Sequence, residues 1–112
     1  MRPELLKGHL DSVLLAVLEG GPRHGYAVIE ALRTGSDGAF DLPTGTVYPA
    51  LHRLERAGLI GSKWQTVGGR QRRSYHLTPA GRAALREQRA VWEQFSAAVT
   101  ALLTRHTRPA TT

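Results

Sequence analysis

The sequence predicts a mostly α-helical fold with one small β-hairpin and a long C-terminal helix. Three observations indicate this class. Apolar side chains recur at helical spacing in three segments of the N-terminal half. Two β-prone runs then flank Gly68-Gly69, a dipeptide suited to a hairpin turn. Finally, an apolar stripe with alternating steps of three and four residues follows Thr78-Pro79 and continues to about Leu103.

The first helix is predicted from apolar residues spaced by three and four. Pro3 suits its first turn, and Gly20-Gly21-Pro22 ends it. A second, shorter helix is expected from about His24 to Thr34, with Gly35 beyond its end. The apolar residues are Leu6, Leu10, Val13, Leu14, Val17 and Leu18 in the first helix and Val28, Ile29 and Leu32 in the second.

The third helix has an apolar back and a polar front, and it ends at Gly58. Its start is ambiguous from the residues alone. Thr44 could cap it, but Pro49 would then remove a backbone hydrogen bond in the second turn. The residues therefore favour a regular helix from Pro49, with an irregular lead-in. The apolar back is Val47, Leu51 and Leu54, and the outward residues are Thr46, His52, Arg53 and Arg56.

The hairpin is predicted from Ile60 to Val67 and from Gln71 to Leu77. Its tip carries Arg70, with further arginines behind it at positions 72 and 73. Trp64 and Tyr75 are expected to cover the core.

The last helix should open with Thr78 as its cap and Pro79 in its first turn, and run to Leu103 or Thr104. Its stripe would expose a costly apolar surface on a single copy of the chain, so we expect it to pair with the same helix of a second copy. The stripe is Leu85, Gln88, Trp92, Phe95, Val99 and Leu102. The predicted organisation is thus a unit of helices and a hairpin at 1–78, a dimerisation helix at 79–104 and a disordered tail at 105–112.

The charge of the chain is concentrated in its middle third. The 112 residues have the size of one domain, and 15 Lys and Arg against 9 Asp and Glu give a net charge of +6. Between Leu42 and Leu77 the only carboxylate is Glu55. The cations there are Arg53, Arg56, Lys63, Arg70, Arg72 and Arg73. Such a concentration favours a polyanionic partner, and a short helix with a basic, hydroxyl-bearing front is typical of a reader of the DNA major groove.

The absence of cysteine excludes disulfides and thiolate metal sites, and is typical of a cytoplasmic protein. The segment after Met1-Arg2-Pro3-Glu4 is amphipathic, so we expect no signal peptide, and no run approaches the ~20 apolar residues of a membrane span.

The combined motifs resemble the PadR-type transcriptional regulators, in the small class with one C-terminal helix. The resemblance spans roughly Leu5 to Leu103. It rests on His24-Gly25-Tyr26, on Gly45-Thr46-Val47-Tyr48-Pro49-Ala50-Leu51 with Arg53-Leu54-Glu55 and Gly58-Leu59-Ile60, on Gly68-Gly69-Arg70, and on Tyr75-His76-Leu77-Thr78-Pro79-Ala80-Gly81-Arg82. It implies a winged helix-turn-helix whose recognition helix begins at Thr44, with Pro49 inside it.

The resemblance also implies roles for individual residues. The residues matching Thr44, Tyr26 and Tyr48 touch the DNA backbone in the family, and the hairpin, or wing, reaches phosphates or the adjacent minor groove. These residues, together with the basic and hydroxyl side chains of the third helix and the hairpin, form the predicted DNA-binding set. Its members are Tyr26, Thr44, Thr46, Tyr48, His52, Arg53, Arg70, Arg72 and Arg73. In multidrug-sensing relatives, a tryptophan matching Trp92 stacks on planar aromatic ligands. We therefore hypothesise that Trp92 and Phe95 line an effector cleft that controls a dimeric repressor.

Other functions have less support. His9, His24, His52, His76 and His106 are scattered, which argues against a histidine-based metal sensor without excluding one. No phosphate loop, nucleophile elbow or carboxylate pair indicates an enzyme, and no cofactor is predicted. A dimeric protein-interaction module without operator specificity stays open, although the basic middle third disfavours it. RNA binding has little support, because the sequence predicts no exposed aromatic cluster that could stack on unpaired bases.

Overall fold

A computed structural model of the protein describes Leu6 and residues 8–105, within which four helices and three strands follow one another. The helices are α1 (Leu10–Val17), α2 (Gly25–Gly35), α3 (Thr44–Arg56) and α4 (Pro79–Thr104). The strands are β1 (Arg23–His24), β2 (Ile60–Val67) and β3 (Arg70–Leu77). This confirms the mostly helical class, the hairpin and the long last helix. Of the tail expected at 105–112, all but Arg105 lies outside the described residues, as does Pro3.

The first predicted helix is interrupted near its start: Leu6 is helical, and the next helical residues begin at Leu10. Leu6 is buried, but Gly8 takes a φ of +89°, which interrupts the helix, and α1 starts at Leu10. The apolar spacing passes through this break because it reports which side chains reach the core, and not whether the backbone stays helical.

The three strands form one antiparallel sheet in the order β1-β3-β2. β2 and β3 pair along their full length, from Ile60 opposite Leu77 to Val67 opposite Arg70. Strand β1 is absent from the sequence prediction because two residues carry no periodicity. It pairs Arg23 with Tyr75, beside the hairpin.

The core lies between the first three helices and the inner part of the sheet. It contains the predicted apolar residues of α1, α2 and α3 together with Tyr75. Its buried members are Leu14, Leu15, Leu18, Val28, Leu32, Val47, Ala50, Leu51, Leu54, Ile60, Tyr75, Leu77 and Leu85. Burial of this set is the main favourable term for a domain of this size.

Helix α3 begins at Thr44, and Pro49 is its sixth residue. The start at Pro49 favoured by the residues alone is wrong, and the start at Thr44 implied by the family resemblance is confirmed. The first turn closes on Pro43, whose carbonyl accepts from the backbone N–H of Thr46 at 3.0 Å and of Val47 at 3.2 Å. Pro49 removes one bond from this helix, and the buried back of α3 compensates for it.

Thr78 joins the ends of three elements. After α3, Gly58 adopts a φ of +78° and the Leu59 N–H donates to the Leu54 carbonyl, which closes the helix with a Schellman motif. The Thr78 hydroxyl donates to the Gly58 carbonyl at 2.7 Å and accepts from the Gly81 N–H at 3.0 Å. The predicted cap of the last helix is thereby confirmed, and the same side chain fixes where α4 leaves the domain.

Helix α4 is longer than the domain that supports it. Leu85 is 4% exposed in the core, Gln88 accepts a hydrogen bond of 2.7 Å from the Ser12 hydroxyl, and Arg89 pairs with Glu19 on the turn after α1. The C-terminal half of α4 then extends beyond these contacts, and the molecule measures 70 × 27 × 22 Å. Within the described residues, no helix is both long and apolar enough to cross a membrane.

Gly81 should not tolerate a side chain. A Cβ added there would collide with the Leu59 backbone carbonyl, which cannot move without opening the Thr78 contacts. We expect Gly81→Ala to reduce the free energy of unfolding by about 1–3 kcal/mol, although Ala favours helices. Urea unfolding measures this. Gly35→Ala is the matched control because its Cβ would meet no atom within 4 Å. Equal stability of the two variants would contradict the prediction.

Candidate nucleic-acid interface

The outer face of α3 presents hydroxyl and basic side chains to solvent. Thr44, His52 and Arg53 are exposed and Thr46 is half-buried, while the opposite face of the same helix is fully buried. The burial of the back fixes the rotation of α3 about its axis, so the polar front points away from the domain. This is the geometry of a helix that enters a groove.

Two tyrosines flank the start of this face. The rings of Tyr26 and Tyr48 meet edge to face with centroids 6.4 Å apart, and Tyr26 is 68% exposed. Tyr48 packs directly on Gly25, where even a methyl group would overlap its ring. Burial raises the pKa of Tyr48, so its phenol stays a neutral hydrogen-bond donor. The ring of Tyr48 therefore packs under the helix, and its edge lies beside Tyr26 at the surface.

His24 caps the helix that carries Tyr26. Its Nδ1 accepts a hydrogen bond of 3.3 Å from the Ala27 N–H. Burial, followed by the charge of Arg72, lowers the pKa of His24 and keeps the imidazole neutral, as a cap acceptor must be. His24 thus has a local structural role. Within the described residues, no group of three or more histidines and carboxylates could hold a metal ion.

The hairpin tip carries exposed cations. Gly68 and Gly69 have φ of +58° and +77°, and the tight turn they make places Arg70 at the tip, with Arg72 exposed behind it. Lys63 is also exposed, and residues 60–77 contain no carboxylate. The hairpin is therefore positive along its length, as expected of a surface that meets phosphates.

Arg73 has a different environment from its neighbours. Its Nε donates to the Ser62 hydroxyl at 2.8 Å, and that hydroxyl donates to the Glu55 carboxylate in the last turn of α3. The guanidinium also lies 3.6 Å from Glu55 and 5.5 Å from the ring centre of Trp64. These contacts tie the hairpin to α3, so Arg73 sets the angle between the two.

Trp64 does not cover the core, which corrects the sequence expectation. It is 64% exposed, whereas Tyr75 is buried as expected. Trp64 does share a sheet face with Tyr75, because it stands opposite Arg73 in the register. The hairpin, however, extends past the edge of the core, so the outer residues of that face have nothing to cover.

Comparison with known proteins assigns this geometry to a family. The model of the transcriptional regulator PadR-like family matches residues 14–87, well over half of the chain. The chain belongs to this family.

Individual relatives agree with the assignment. The transcriptional regulator Rv3488 of Mycobacterium tuberculosis is 46% identical over 74 residues, which are 66% of this chain and 56% of that protein. A PadR family regulator from Eggerthella lenta is 35% identical, covering 89% of this chain and 86% of its own, with a TM-score of 0.76. A PadR-like regulator from Bacillus cereus is 28% identical, covering 89% and 96%, with a TM-score of 0.79. The chain thus has the winged-helix fold and the long C-terminal helix of a PadR-like transcriptional regulator.

One predicted DNA-binding residue of this PadR-like regulator is engaged within its own domain. Arg53 pairs with Asp11 of α1 at 2.6 Å. Both side chains are about half exposed, and a surface pair of this kind contributes little free energy. Arg53 can therefore exchange Asp11 for a phosphate or a base edge. The sequence could not show this pairing, which joins residues 42 positions apart.

The predicted seam of α4 divides into two parts. Leu85 and Gln88 lie against their own domain, in the contacts described above. Beyond them, Trp92, Phe95 and Leu102 are 52%, 58% and 64% exposed. Trp92 lies where the two parts meet. Its ring centre is 5.4 Å from that of His9, just before α1, and 6.0 Å from that of Phe95 in the exposed part of the seam. The exposed stripe available to a partner therefore starts at Trp92, one heptad later than the sequence indicates.

Proposed function

We propose that this PadR-like regulator binds a specific operator in duplex DNA as a homodimer. In each protomer, α3 would enter the major groove while the β2–β3 tip contacts phosphates or the adjacent minor groove. The observation that carries the proposal is the exposed polar face of α3 beside a hairpin that has four cations and no carboxylate.

The environments of the side chains favour different DNA contacts for different residues. Neutral hydrogen-bond donors to the backbone phosphates come from three hydroxyl groups near the starts of two helices. These are Tyr26 in α2 and Thr44 and Tyr48 in α3. Thr46, His52 and Arg53 lie further along the face of α3 and serve to read base edges. Arg70 and Arg72 supply the charge of the wing. Arg73, engaged with Glu55, orients the wing and makes a weaker contact of its own.

Homodimerisation is supported by the exposed stripe of α4. Phe95, Leu102 and Val91 are all more than half exposed on a helix whose other contacts are already made. Solvent exposure of so many large apolar groups along one helix is costly, and a two-fold partner would cover them with an equivalent stripe. The pairing would set two copies of α3 at a fixed separation, which matches a two-fold operator.

The regulatory part of the proposal is repression that an effector relieves, acting in the cytoplasm where the DNA lies. Trp92 is half exposed at the junction of the domain and the stripe, in contact with His9 of one and Phe95 of the other. A planar aromatic ligand that stacks on Trp92 would change the packing there and hence the separation of the recognition helices.

Replacement of Arg70 by Ala should weaken operator binding. The loss of one phosphate contact per protomer, two per dimer, should reduce the slope of log K against log salt by about 1.8. The measurement is a mobility-shift titration at two salt concentrations, using DNA upstream of the protein's own gene and random DNA as competitor. Arg86→Ala is the matched control, because it removes the same charge from an exposed position of α4. An unchanged slope in Arg70→Ala would remove the wing from the interface, and no preference for any DNA would leave the interaction-module function instead.

Replacement of Phe95 by Glu should produce monomers. A carboxylate placed in the apolar stripe would have to be buried without a partner, which costs several kcal/mol per interface. Sedimentation velocity at micromolar concentration measures the outcome, with circular dichroism to check the fold. Ala97→Glu adds the same charge on the opposite side of α4 and should leave the dimer intact. A dimeric Phe95→Glu protein would show that α4 does not mediate the association.

A planar aromatic ligand should quench the fluorescence of Trp92. The Trp64→Phe variant makes Trp92 the only tryptophan, because the chain contains two. Titration of this variant with an acridine dye, without DNA, should give saturable quenching that Phe95→Ala weakens. The same dye should then release the regulator from its operator, and, because acridines also intercalate into DNA, the release should be weaker for Phe95→Ala. Quenching that never saturates, or saturation without release, would argue against an effector site at Trp92.

A further inference from the structure

A cavity of about 330 Å³ opens on the face of the sheet that points away from the core. It lies between the turn after α1, the hairpin and the first turn of α4. Its volume is within the range of small-molecule sites. It involves neither the polar face of α3 nor the exposed stripe of α4, and it shares with the proposed DNA interface only the hairpin residue Lys63. The lining residues are Leu18, Gly21, Pro22, Lys63, Gln65, Ser74, His76, Leu77 and Arg82.

The strand register gathers the polar groups of the cavity. Lys63 stands opposite Ser74, and Gly61 stands opposite His76, so their positions share one face of the hairpin. The absence of a side chain at Gly61 makes room for the His76 ring. A Cβ at that position would lie 2.8 Å from two atoms of the His76 imidazole, so only glycine lets the ring rest against β2 and line the cavity.

The third basic group comes from α4. The Thr78 junction fixes the first turn of this helix, and Arg82 projects from it into the same cavity. Lys63, His76 and Arg82 thus approach one space from three different elements. Ser74 and Gln65 add neutral hydrogen-bond donors between them.

No negative charge of the protein compensates these groups at the cavity. None of the described residues that line it is Asp or Glu. Glu19, which feels the charge of Arg82, is already bound by Arg89 through two hydrogen bonds of 2.7 and 3.2 Å. Two permanent cations and an imidazole around an open space therefore create a positive site that an anion would neutralise.

The remaining walls are apolar. Leu18, Pro22 and Leu77 line the cavity beside the basic groups. Leu18 and Leu77 are buried in the core, so Pro22, which is exposed, is the apolar surface that a ligand with a short apolar chain would cover and a free inorganic ion would not.

We propose that this cavity binds a small organic anion, a phosphate or carboxylate group joined to a short apolar chain. Lys63 and Arg82 hold the anionic group, with Ser74 and Gln65 as donors, and the chain lies on Pro22. Because Lys63 belongs to the hairpin and Arg82 to α4, the bound anion links the wing to the proposed dimerisation helix. This site is distinct from the aromatic site at Trp92.

The test is a titration of the full chain followed by ¹H–¹⁵N NMR at constant ionic strength, without DNA. The probes are butyl phosphate and pentanoate, with inorganic phosphate and butanol for comparison. None is aromatic, so none stacks on Trp92. At least one of the two amphiphilic anions should bind saturably, with shifts centred on residues 61–65, 74–77 and 82. The better anion identifies the headgroup, and both inorganic phosphate and butanol should bind at least about tenfold more weakly.

Matched variants decide whether the cavity is responsible. Lys63→Gln and Arg82→Gln should each weaken binding by about tenfold, the scale of one charge-assisted hydrogen bond. Arg86→Gln removes the same charge from an exposed position of α4 that does not line the cavity, and should bind as the unaltered chain does. Equal weakening in Arg82→Gln and Arg86→Gln would mean attraction to the net charge only, and would overturn the proposal.

Two further outcomes would also overturn it. One is the absence of saturable binding by either amphiphilic anion, and the other is binding of inorganic phosphate or butanol as strong as theirs. Thermal unfolding confirms that each variant is folded. Because the titration contains no DNA, its failure leaves the proposed operator binding untouched, and a failure of operator binding leaves this site untouched.

Discussion

The arrangement of this protein depends on the hydrogen bonds of one threonine. The Thr78 hydroxyl binds the carbonyl that ends the recognition helix and caps the last helix, with Gly81 packed against the same segment. Three elements with different tasks, α3, β3 and α4, therefore meet in one small rigid junction. A change in the direction of α4 reaches α3 through this junction as well as through α1, since no flexible linker separates α3, β3 and α4.

The sequence predicted most of the fold because helical and strand periodicities report burial. The backs of α2 and α3, the presence of the hairpin and the start of α4 all follow from local patterns and caps. It did not predict β1, whose two residues gain their strand geometry only by pairing with β3. Pro49 shows the same limit: a local rule opposes a helix there, and the burial of Val47, Ala50, Leu51 and Leu54 overrides it.

The sequence predicted which segments form the candidate interface, but not which of their side chains are exposed and which are bound to other residues. Charge and composition indicated the cations of the hairpin and the front of α3. They could not separate Arg70, at the tip, from Arg73, which is bound to Ser62 and Glu55, because both are arginines on one short strand. Likewise, alternation places Trp64 on the inner face of the hairpin, yet only the extent of the core decides whether that face is covered.

The division of α4 has a consequence for how such regulators diversify. Its N-terminal half belongs to the hydrophobic core through Leu85, and its C-terminal half carries the exposed stripe. Mutations in the second half leave the domain's own packing intact. If the stripe mediates the proposed homodimer, duplicated genes can change their pairing specificity through this half of α4 while each chain still folds, and partner choice diverges faster than the domain that carries α3.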